Sequence, residues 1–197
     1  MKDINDFIVT NILSELSEAG EDSLTDDLSS FSCPHNQEIE HFIKANAIDF
    51  AKRKLSITYL VIDRHDAAIV AYFTLTHKAI TIQQNGLSNT SKRRLASHSL
   101  YDPVDQSYSL SAFLLAQLGK NYTIENGNRI SGQTLMILTY RVLKDIQNRI
   151  GGGVVYLDCD DNPFLTDFYE SVAGYRYFGE RISEIDNKRY LQFMRFL

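Results

Sequence analysis

Apolar residues recur with two different periods along this chain, and the period predicts which segments are helical and which are extended. Spacings of three and four residues predict amphipathic helices over residues 3–18 and 34–54. Residues 21–30 between them are polar and acidic, which predicts a loop or a poorly ordered link. We expect the first helix either to pack on the rest of the chain or to offer its apolar face to a partner.

The period shortens to two after residue 55, where β-branched and aromatic residues become frequent. Residues 56–62 and 68–75 have the composition of strands, and the polar residues 63–66 between them predict a tight turn. Together these segments predict an antiparallel hairpin.

Residues 76–107 are the least regular part of the chain, and a connection of this length usually carries function or short elements of its own. It contains the basic run Lys92-Arg93-Arg94. This run is compatible with a contact to a phosphate or an acidic acceptor, and equally with a solvated helix face.

The second half of the chain is organised around residues 108–175, which predict strand, helix, strand and helix in that order. Residues 109–118 are a near-continuous apolar run, of the kind found in a strand buried on both faces. The helix that follows has apolar positions three and four residues apart and ends at the glycines of residues 151–153. The remaining predicted elements are a strand at 154–159, a helix from Asn162 to near Gly174, and closing strands at 177–185 and 188–197.

This order of elements predicts an α/β (α+β) fold. A hairpin that leads into strand–helix–strand indicates a single domain with a mixed, mostly antiparallel central sheet and helices on both faces. The chain of 197 residues, 44% of them apolar, is long enough for one well-buried core. We expect a division near residue 30, with an N-terminal helix and acidic leader in residues 1–30 and the main domain in residues 31–197.

The formal net charge of −5 is unevenly distributed. Residues 1–31 carry eight acidic side chains against one basic one, so the other 166 residues carry 19 basic and 17 acidic side chains. Strong non-specific binding of nucleic acid is therefore not indicated, whereas a local basic site is compatible with this balance.

Several features point to a cytoplasmic setting. There is no run of eighteen apolar residues, so no membrane span is predicted, and the first six residues lack the layout of a signal peptide. Cys33 and Cys159 belong to no CxxC pair, which favours reduced thiols, and Cys159 is expected to pack in the core. No metal site is predicted.

Two short motifs carry a family resemblance. The run from Arg129 to Thr134 (Arg-Ile-Ser-Gly-Gln-Thr) resembles the Gln/Arg-x-x-Gly-x-Gly/Ala acyl-CoA loop of the GNAT superfamily of N-acetyltransferases. Asn162, Phe168-Tyr169-Glu170 and Gly174-Tyr175 resemble the Asn…Phe-Tyr-Glu…Gly-Phe ending of that family's last motif. The resemblance covers roughly residues 35–197. It departs from the pattern at Thr134, where glycine or alanine is expected, and in the long connection from Lys120 to Arg129.

The resemblance implies acetyl-CoA as co-substrate and gives the site residues their roles. Arg129 belongs to the cofactor loop. The pyrophosphate is held by backbone N–H groups at the positive end of the helix dipole, which belong to Ile130, Ser131, Gly132, Gln133 and Thr134. The glycine of this loop lets the backbone approach the phosphates closely.

The other implied roles concern the acyl arm of the cofactor and the leaving group. The end of the central strand, Leu118, Gly119 and Lys120, binds the pantetheine arm, and Asn162 both caps its helix and contacts CoA. Tyr169 is the general acid that protonates the CoA thiolate as it leaves. The general base stays unassigned, because spacing singles out none of Asp158, Asp160 and His77. In this superfamily water can carry the proton out, so the mechanism does not require a base.

The sequence thus predicts an acetyl-CoA-dependent N-acetyltransferase that transfers its acetyl group to a primary amine by direct attack. The acceptor amine is open: a small molecule, a protein or an aminoacyl-tRNA. A toxin-type GNAT that acetylates aminoacyl-tRNA and pairs with an antitoxin is one alternative, and a non-catalytic module that binds acyl-CoA or docks a partner is another. A homodimer is also compatible with the sequence.

Overall fold

The computed structural model describes residues 3–123, 126, 129–184 and 187–197. The helices are α1 (Ile12–Ala19), α2 (Glu21–Ser29), α3 (Gln37–His41), α4 (Ala47–Lys52), α5 (Asn89–Ala96), α6 (Gly132–Ile150) and α7 (Pro163–Asp167). A π-helical turn, Phe42–Asn46, joins α3 to α4, and a second one, Phe168–Val172, extends α7. The strands are β1 (Phe7–Asn11), β2 (Ile57–Asp63), β3 (Ile69–Gln83), β4 (Leu100–Asp102), β5 (Ser107–Lys120), β6 (Val154–Asp160), β7 (Arg176–Ile182) and β8 (Arg189–Phe196).

The chain divides into two compact units. Unit 1 consists of Met1–Thr76 and Leu115–Val142, and unit 2 consists of His77–Leu114 and Leu143–Leu197. The long elements β3, β5 and α6 each begin in one unit and end in the other.

Unit 1 contains the predicted hairpin, which is confirmed. Strands β2 and β3 pair antiparallel, and the buried hydroxyls of Thr58 and Thr74 on the two strands lie 2.8 Å apart. A buried cluster packs against this part of the sheet, made of Ile12, Leu24, Leu28, Phe31, Cys33, Ile43, Ala47, Ala51, Leu60 and Tyr72. Helices α1 to α4 therefore contribute their apolar stripes to one core with the hairpin.

The predicted helix over residues 3–18 is wrong in its first half. Residues Phe7–Asn11 form strand β1, which pairs antiparallel with β2 from Phe7 opposite Asp63 to Asn11 opposite Tyr59. The Asn11 side chain then accepts a hydrogen bond from the N–H of Leu13 at 2.8 Å and caps α1. Local spacing favours a helix here, and pairing with a neighbouring strand overrides it.

The predicted loop over residues 21–30 is also wrong, because α2 occupies it. Leu24 and Leu28 are four residues apart and almost completely buried, so they form a narrow apolar stripe on one side of the helix. The acidic side chains occupy the other positions, and Glu21 pairs with Lys52 of α4 at 2.5 Å. The division of the chain at residue 30 stays a prediction.

Unit 2 contains the parallel step of the sheet. Strands β5 and β6 pair parallel at Phe113–Val155 and Leu114–Tyr156, while β8 pairs antiparallel with both β6 and β7. Strand β4 lies antiparallel beside β5. With the antiparallel pairs of unit 1, these pairings confirm the predicted mixed, mostly antiparallel sheet of an α/β (α+β) fold.

The segment of residues 76–107 has its own structure, as a connection of that length predicts. It holds the end of β3, the helix α5 and the strand β4. Ser88 caps α5 by accepting a hydrogen bond from the N–H of Ser91 at 3.1 Å. The basic run lies on this helix, and the Arg94 guanidinium stacks 4.1 Å from the centre of the Phe196 ring.

Candidate functional site

The predicted pyrophosphate loop lies at the start of α6, in unit 1. Ser131 caps this helix, because its Oγ accepts a hydrogen bond from the N–H of Thr134 at 3.0 Å and its carbonyl accepts from Leu135 at 3.0 Å. Gly132 and Gln133 are the first two residues of the helix, where backbone N–H groups have no partner within the helix itself. Ile130 is buried and anchors the loop in unit 1.

The threonine that departs from the family pattern is accommodated locally. The Thr134 hydroxyl lies 2.8 Å from Ser131 Oγ, so this side chain is held against the cap. The bond from the Thr134 N–H to Ser131 also means that one predicted phosphate donor already has a partner. Ile130, Ser131, Gly132 and Gln133 are then the remaining predicted donors of the loop.

The side chain of Arg129 forms ion pairs with two carboxylates of the β2–β3 hairpin. Its Nη1 lies 2.5 Å from Asp66 Oδ2 and 3.4 Å from Oδ2 of the fully buried Asp63. The hydrogen bond from Arg129 lowers the pKa of Asp66, and the same contact raises the pKa of Arg129. The arginine therefore links the beginning of the predicted cofactor loop to the turn that joins β2 and β3.

The predicted pantetheine segment lies at the end of β5. Gly119 is buried, and a Cβ at this position would overlap Ile39 Cγ2 and stand 3.1 Å from Tyr72 Cε1. The Tyr72 hydroxyl donates a hydrogen bond to the Ile39 carbonyl at 2.6 Å. This bond holds Ile39 and Tyr72, the two residues that contact Gly119, in place. Burial lowers the pKa of Lys120, whose Nζ lies 5.2 Å from the centre of the Tyr122 ring.

Asn121, which sequence reasoning did not single out, holds this strand end in place. It is 2% exposed, and its Nδ2 donates to the Ile69 carbonyl at 2.9 Å. Its Oδ1 accepts from the N–H groups of Ser32 and Thr123, both at 3.2 Å. An asparagine after a strand usually indicates a turn, so the sequence carries no signal for this buried role.

Tyr169 and Asn162 belong to unit 2. Tyr169 lies in the π-helical turn after α7, with its ring 5.9 Å from that of Tyr175 and 6.4 Å from that of Phe193. Asn162 caps α7 by accepting a hydrogen bond from the N–H of Phe164 at 2.9 Å, with Pro163 at the first helical position. The predicted capping role of Asn162 is confirmed, and its contact with CoA stays a prediction.

The candidate bases have partners of their own. Asp158 Oδ2 accepts from Arg181 Nε at 2.8 Å and its Oδ1 accepts from Gln192 Nε2 at 2.9 Å. Asp160 pairs with Lys188 at 2.8 Å, and His77 Nδ1 lies 3.1 Å from Ser111 Oγ. Each of the three side chains therefore has a structural contact, none is singled out as the base, and the base stays unassigned.

The two cysteines are buried and free, which confirms core packing for Cys159. Burial raises the pKa of the Cys159 thiol to about 11, with the nearby aspartates adding to the shift. Burial also raises the pKa of Cys33. Both are therefore protonated at neutral pH and are poor nucleophiles.

A cavity of about 420 Å³ lies within unit 2, and residues from β3, β5, β6, β7 and β8 line it. Its polar wall includes the Asp158–Arg181 ion pair and Lys78. Such a volume lies at the lower end of the range for small-ligand sites, which is ~300–1,000 Å³.

The described residues contain neither a metal-binding cluster nor a membrane-spanning helix. No three of their histidines, cysteines and acidic residues are grouped so that they could hold a metal ion. None of the helices in that part of the chain is both long enough and apolar enough to cross a membrane.

No protein-family model and no curated protein matches the sequence. Solved structures do match. A tyrosine-to-phenylalanine mutant of KacT superposes with a TM-score of 0.64 at 14% identity, covering 97% of this chain and 95% of KacT. AtaT in complex with acetyl-methionyl-tRNAfMet gives a TM-score of 0.62 at 13% identity, with 94% of each chain covered.

A third match is AtaTR bound with acetyl-CoA, with a TM-score of 0.62 at 15% identity over 98% of this chain and 94% of the other. At identities this low the likeness concerns the fold. The chain has the fold of the GNAT N-acetyltransferases, as the motifs around residues 129–134 and 162–175 predict.

Proposed function

We propose that this protein is an acetyl-CoA-dependent N-acetyltransferase that acetylates a primary amine by direct attack. The observation that carries the proposal is that the acyl-CoA loop motif occurs in a chain with the matching fold. The run from Arg129 to Thr134 leads into the long helix α6, the next helix after the central strand β5. The fold of the chain matches, almost end to end, that of AtaTR bound with acetyl-CoA.

The donor half of the reaction is assigned to the backbone of unit 1. The N–H groups at the start of α6 hold the pyrophosphate, where the helix dipole favours negative charge. The backbone of Leu118 to Lys120 holds the pantetheine arm. Gly119 has no side chain, so this strand end packs against Ile39 and Tyr72, which hold it in place.

The chemistry needs no covalent enzyme intermediate. The amine nitrogen attacks the thioester carbonyl, a backbone N–H stabilises the oxyanion, and the tetrahedral intermediate collapses with cleavage of the C–S bond. Tyr169 donates its phenolic proton to the departing CoA sulfur, and water removes the proton that the amine loses. The two buried, protonated cysteines support a direct transfer, since neither is suited to carry the acetyl group.

A second candidate is acetylation of aminoacyl-tRNA. One specific observation favours it: the matched structures include AtaT with acetyl-methionyl-tRNAfMet and AtaT bound to the C-terminus of the antitoxin AtaR. The acidic residues of the N-terminal segment oppose it, because they repel a polyanion. On this candidate, an antitoxin would be a further partner.

Labelled acetyl transfer tests the proposal. The protein is incubated with radiolabelled acetyl-CoA and a cell extract that is then separated into protein, RNA and small-molecule fractions. The second candidate predicts label in the RNA fraction, and mild base should release that label from tRNA together with the amino acid. Label in the protein or small-molecule fraction favours the general candidate. Saturable binding of acetyl-CoA without transfer to any fraction would instead indicate a non-catalytic module.

A further inference from the structure

The cavity of unit 2 combines an apolar wall with two cationic side chains. We infer that it binds the acceptor of the proposed reaction through an anionic group, a carboxylate or a phosphate, that is attached to an apolar or aromatic moiety. The inference rests on the proposed function and names the chemical class of the acceptor.

The position of the cavity suits an acceptor site. Leu114 and Tyr156 form the second of the parallel pairs between β5 and β6, and both line the cavity. Asp158 lies two residues further along β6, on the same face of the strand, and also lines it. The cavity therefore lies beside the last parallel pair of the two central strands. Lys78, Ile80 and Thr81 also line it, and they belong to the segment of residues 76–107, a connection of the length that usually carries function.

The apolar wall can receive a ring or an aliphatic side chain. It is formed by Ile80, Leu114, Tyr156 and Phe178, and the rings of Tyr156 and Phe178 meet edge to face with their centres 6.5 Å apart. Burial is the main reason that the pKa of Tyr156 rises to about 12, so its hydroxyl stays neutral. This wall brings no charge of its own into the cavity.

The polar wall has an excess of positive charge. Asp158 is the one acidic residue of the lining, and both of its oxygens are occupied, by Arg181 Nε and by Gln192 Nε2. Its charge is therefore already balanced by Arg181. Lys78 adds a second cation, so the ionisable lining carries a net charge of +1.

Lys78 and Arg181 both have N–H groups that are available to bind a ligand. Arg181 uses its Nε for Asp158 and stacks 5.2 Å from the centre of the Tyr190 ring, and its Nη groups bond to none of the residues described. Lys78 is exposed and makes no hydrogen bond or ion pair within the described part of the chain. A guanidinium held by a carboxylate is pre-oriented for an oxyanion, and an ammonium nearby strengthens that preference.

This arrangement disfavours an acceptor that is purely cationic, such as a polyamine. Lys78 and Arg181 would repel its ammonium groups, and both oxygens of Asp158 already accept a hydrogen bond, one of them from Arg181. An acceptor that has an amine, an apolar part and an anionic group can place the apolar part against the apolar wall and the anionic group against the polar wall. Amino acids and the aminoacylated, phosphate-bearing ends of nucleic acids both have this chemistry.

Calorimetry with simple probes tests the inference, using the full chain in the presence of saturating CoA so that the cofactor loop is occupied. The probes are N-acetylphenylalanine for the carboxylate, phenyl phosphate for the phosphate, and N-acetylphenylalanine amide as the neutral match. We expect at least one anionic probe to bind at least about tenfold more tightly than the amide. The anionic probe that binds more tightly shows whether the acceptor's anionic group is a carboxylate or a phosphate. Equal affinity for all three probes, or no saturable binding of any, would overturn the inference.

Two variants and one control locate the site. Lys78→Gln and Arg181→Gln should each weaken binding of the preferred anion about tenfold, whereas Arg176→Gln, an exposed arginine on the same strand as Arg181, should leave it unchanged. If both variants bind like the wild type, the anion binds elsewhere and the inference fails. Lys78→Gln removes no contact, so it is informative even if Arg181→Gln destabilises the fold.

A titration with acetyl-CoA on the same preparation separates this inference from the proposed function. Binding of acetyl-CoA without binding of an anionic probe contradicts the acceptor class alone. Binding of an anionic probe without binding of acetyl-CoA contradicts the proposed function, and with it the role of the cavity as an acceptor site.

Discussion

At the scale of single residues, Tyr169 has the most specific of the proposed chemical roles. It lies in a π-helical turn, a local distortion that is frequent at functional sites, and its ring is partly buried among other aromatic rings. Tyr169→Phe should lower kcat on the order of a hundredfold or more, because removing a general acid usually costs at least that much. The KM for acetyl-CoA should stay within about twofold, since the hydroxyl acts on the leaving group.

Tyr177→Phe is the matched control for that experiment. Tyr177 also has its ring near Phe193, at 5.9 Å, but its hydroxyl bonds to Glu180 on the protein surface. Its kinetics should match the wild type. Unchanged kcat in Tyr169→Phe would remove this tyrosine from the acid role.

A second residue-scale prediction concerns Gly119. An alanine methyl there would overlap Ile39, whose β-branched side chain has little freedom to move aside. Gly119→Ala should therefore lower the free energy of unfolding by about 1–3 kcal/mol, as overpacking of a core does. Urea denaturation measures the change, with Gly179→Ala as control, because a Cβ at Gly179 would stand 3.6 Å from its nearest neighbour. A Gly119→Ala protein as stable as the control would contradict the close packing.

At the scale of elements, Arg129 links the predicted cofactor loop to the β2–β3 hairpin. Asp66→Asn removes the carboxylate that lies nearest to Arg129. We expect the KM for acetyl-CoA to rise while kcat stays nearly constant, the pattern for loss of an interaction that binds ground state and transition state alike. Asp49→Asn, which removes an exposed carboxylate bonded to Arg53, should change neither constant. A KM that stays at the wild-type value would show that the loop does not need this tether.

The same pair predicts a pH dependence of stability. Because Arg129 lowers the pKa of Asp66 in the folded state, the pair stabilises the fold at pH values above the ordinary aspartate pKa. That contribution is lost as the pH falls through the lowered pKa, so wild type and Asp66→Asn should converge in unfolding free energy below about pH 4. A difference that persists or grows in stronger acid would contradict this assignment.

The elements that sequence reasoning located best are those with a strong local signal. The hairpin, β5 and α6 combine clear periodicity with marked ends, such as Gly151, whose φ of 78° is unfavourable for other residues. The prediction fails at residues 7–11 because five residues are too few to separate a helical period from an extended one. It fails at residues 21–29 because only two leucines, Leu24 and Leu28, form the apolar face of α2.

At the scale of the whole molecule, the N-terminal segment contributes to the core of unit 1. Leu28 is 1% exposed and packs in the same buried cluster as Ile43 and Leu60. Leu28→Ala should therefore lower the free energy of unfolding by about 2–5 kcal/mol, whereas Leu55→Ala, at a residue that is 45% exposed, should lower it by less than about 0.5 kcal/mol. Denaturant unfolding with equal effects of the two substitutions would indicate that residues 1–30 are a dispensable leader.

The donor side of the proposed site leaves a stronger signal in the sequence than the proposed acceptor side. The run of residues 129–134 and the Tyr169 motif are contiguous, so a short pattern identifies them. The cavity of unit 2 depends on side chains from five strands, and the pairing of Asp158 with Arg181 across 23 positions leaves no local pattern. Asn121 is similar, because its partners Ser32 and Ile69 are far away along the chain.

The most direct test of the central claim is a calorimetric titration of the protein with acetyl-CoA. We predict saturable binding at one site per chain. Gln133→Glu, which puts a negative charge among the predicted pyrophosphate donors, should weaken it at least about tenfold, whereas Gln37→Glu, the same change at the start of α3, should not. An absence of saturable binding, or equal affinity in Gln133→Glu and the wild type, would contradict acetyl-CoA binding at the start of α6.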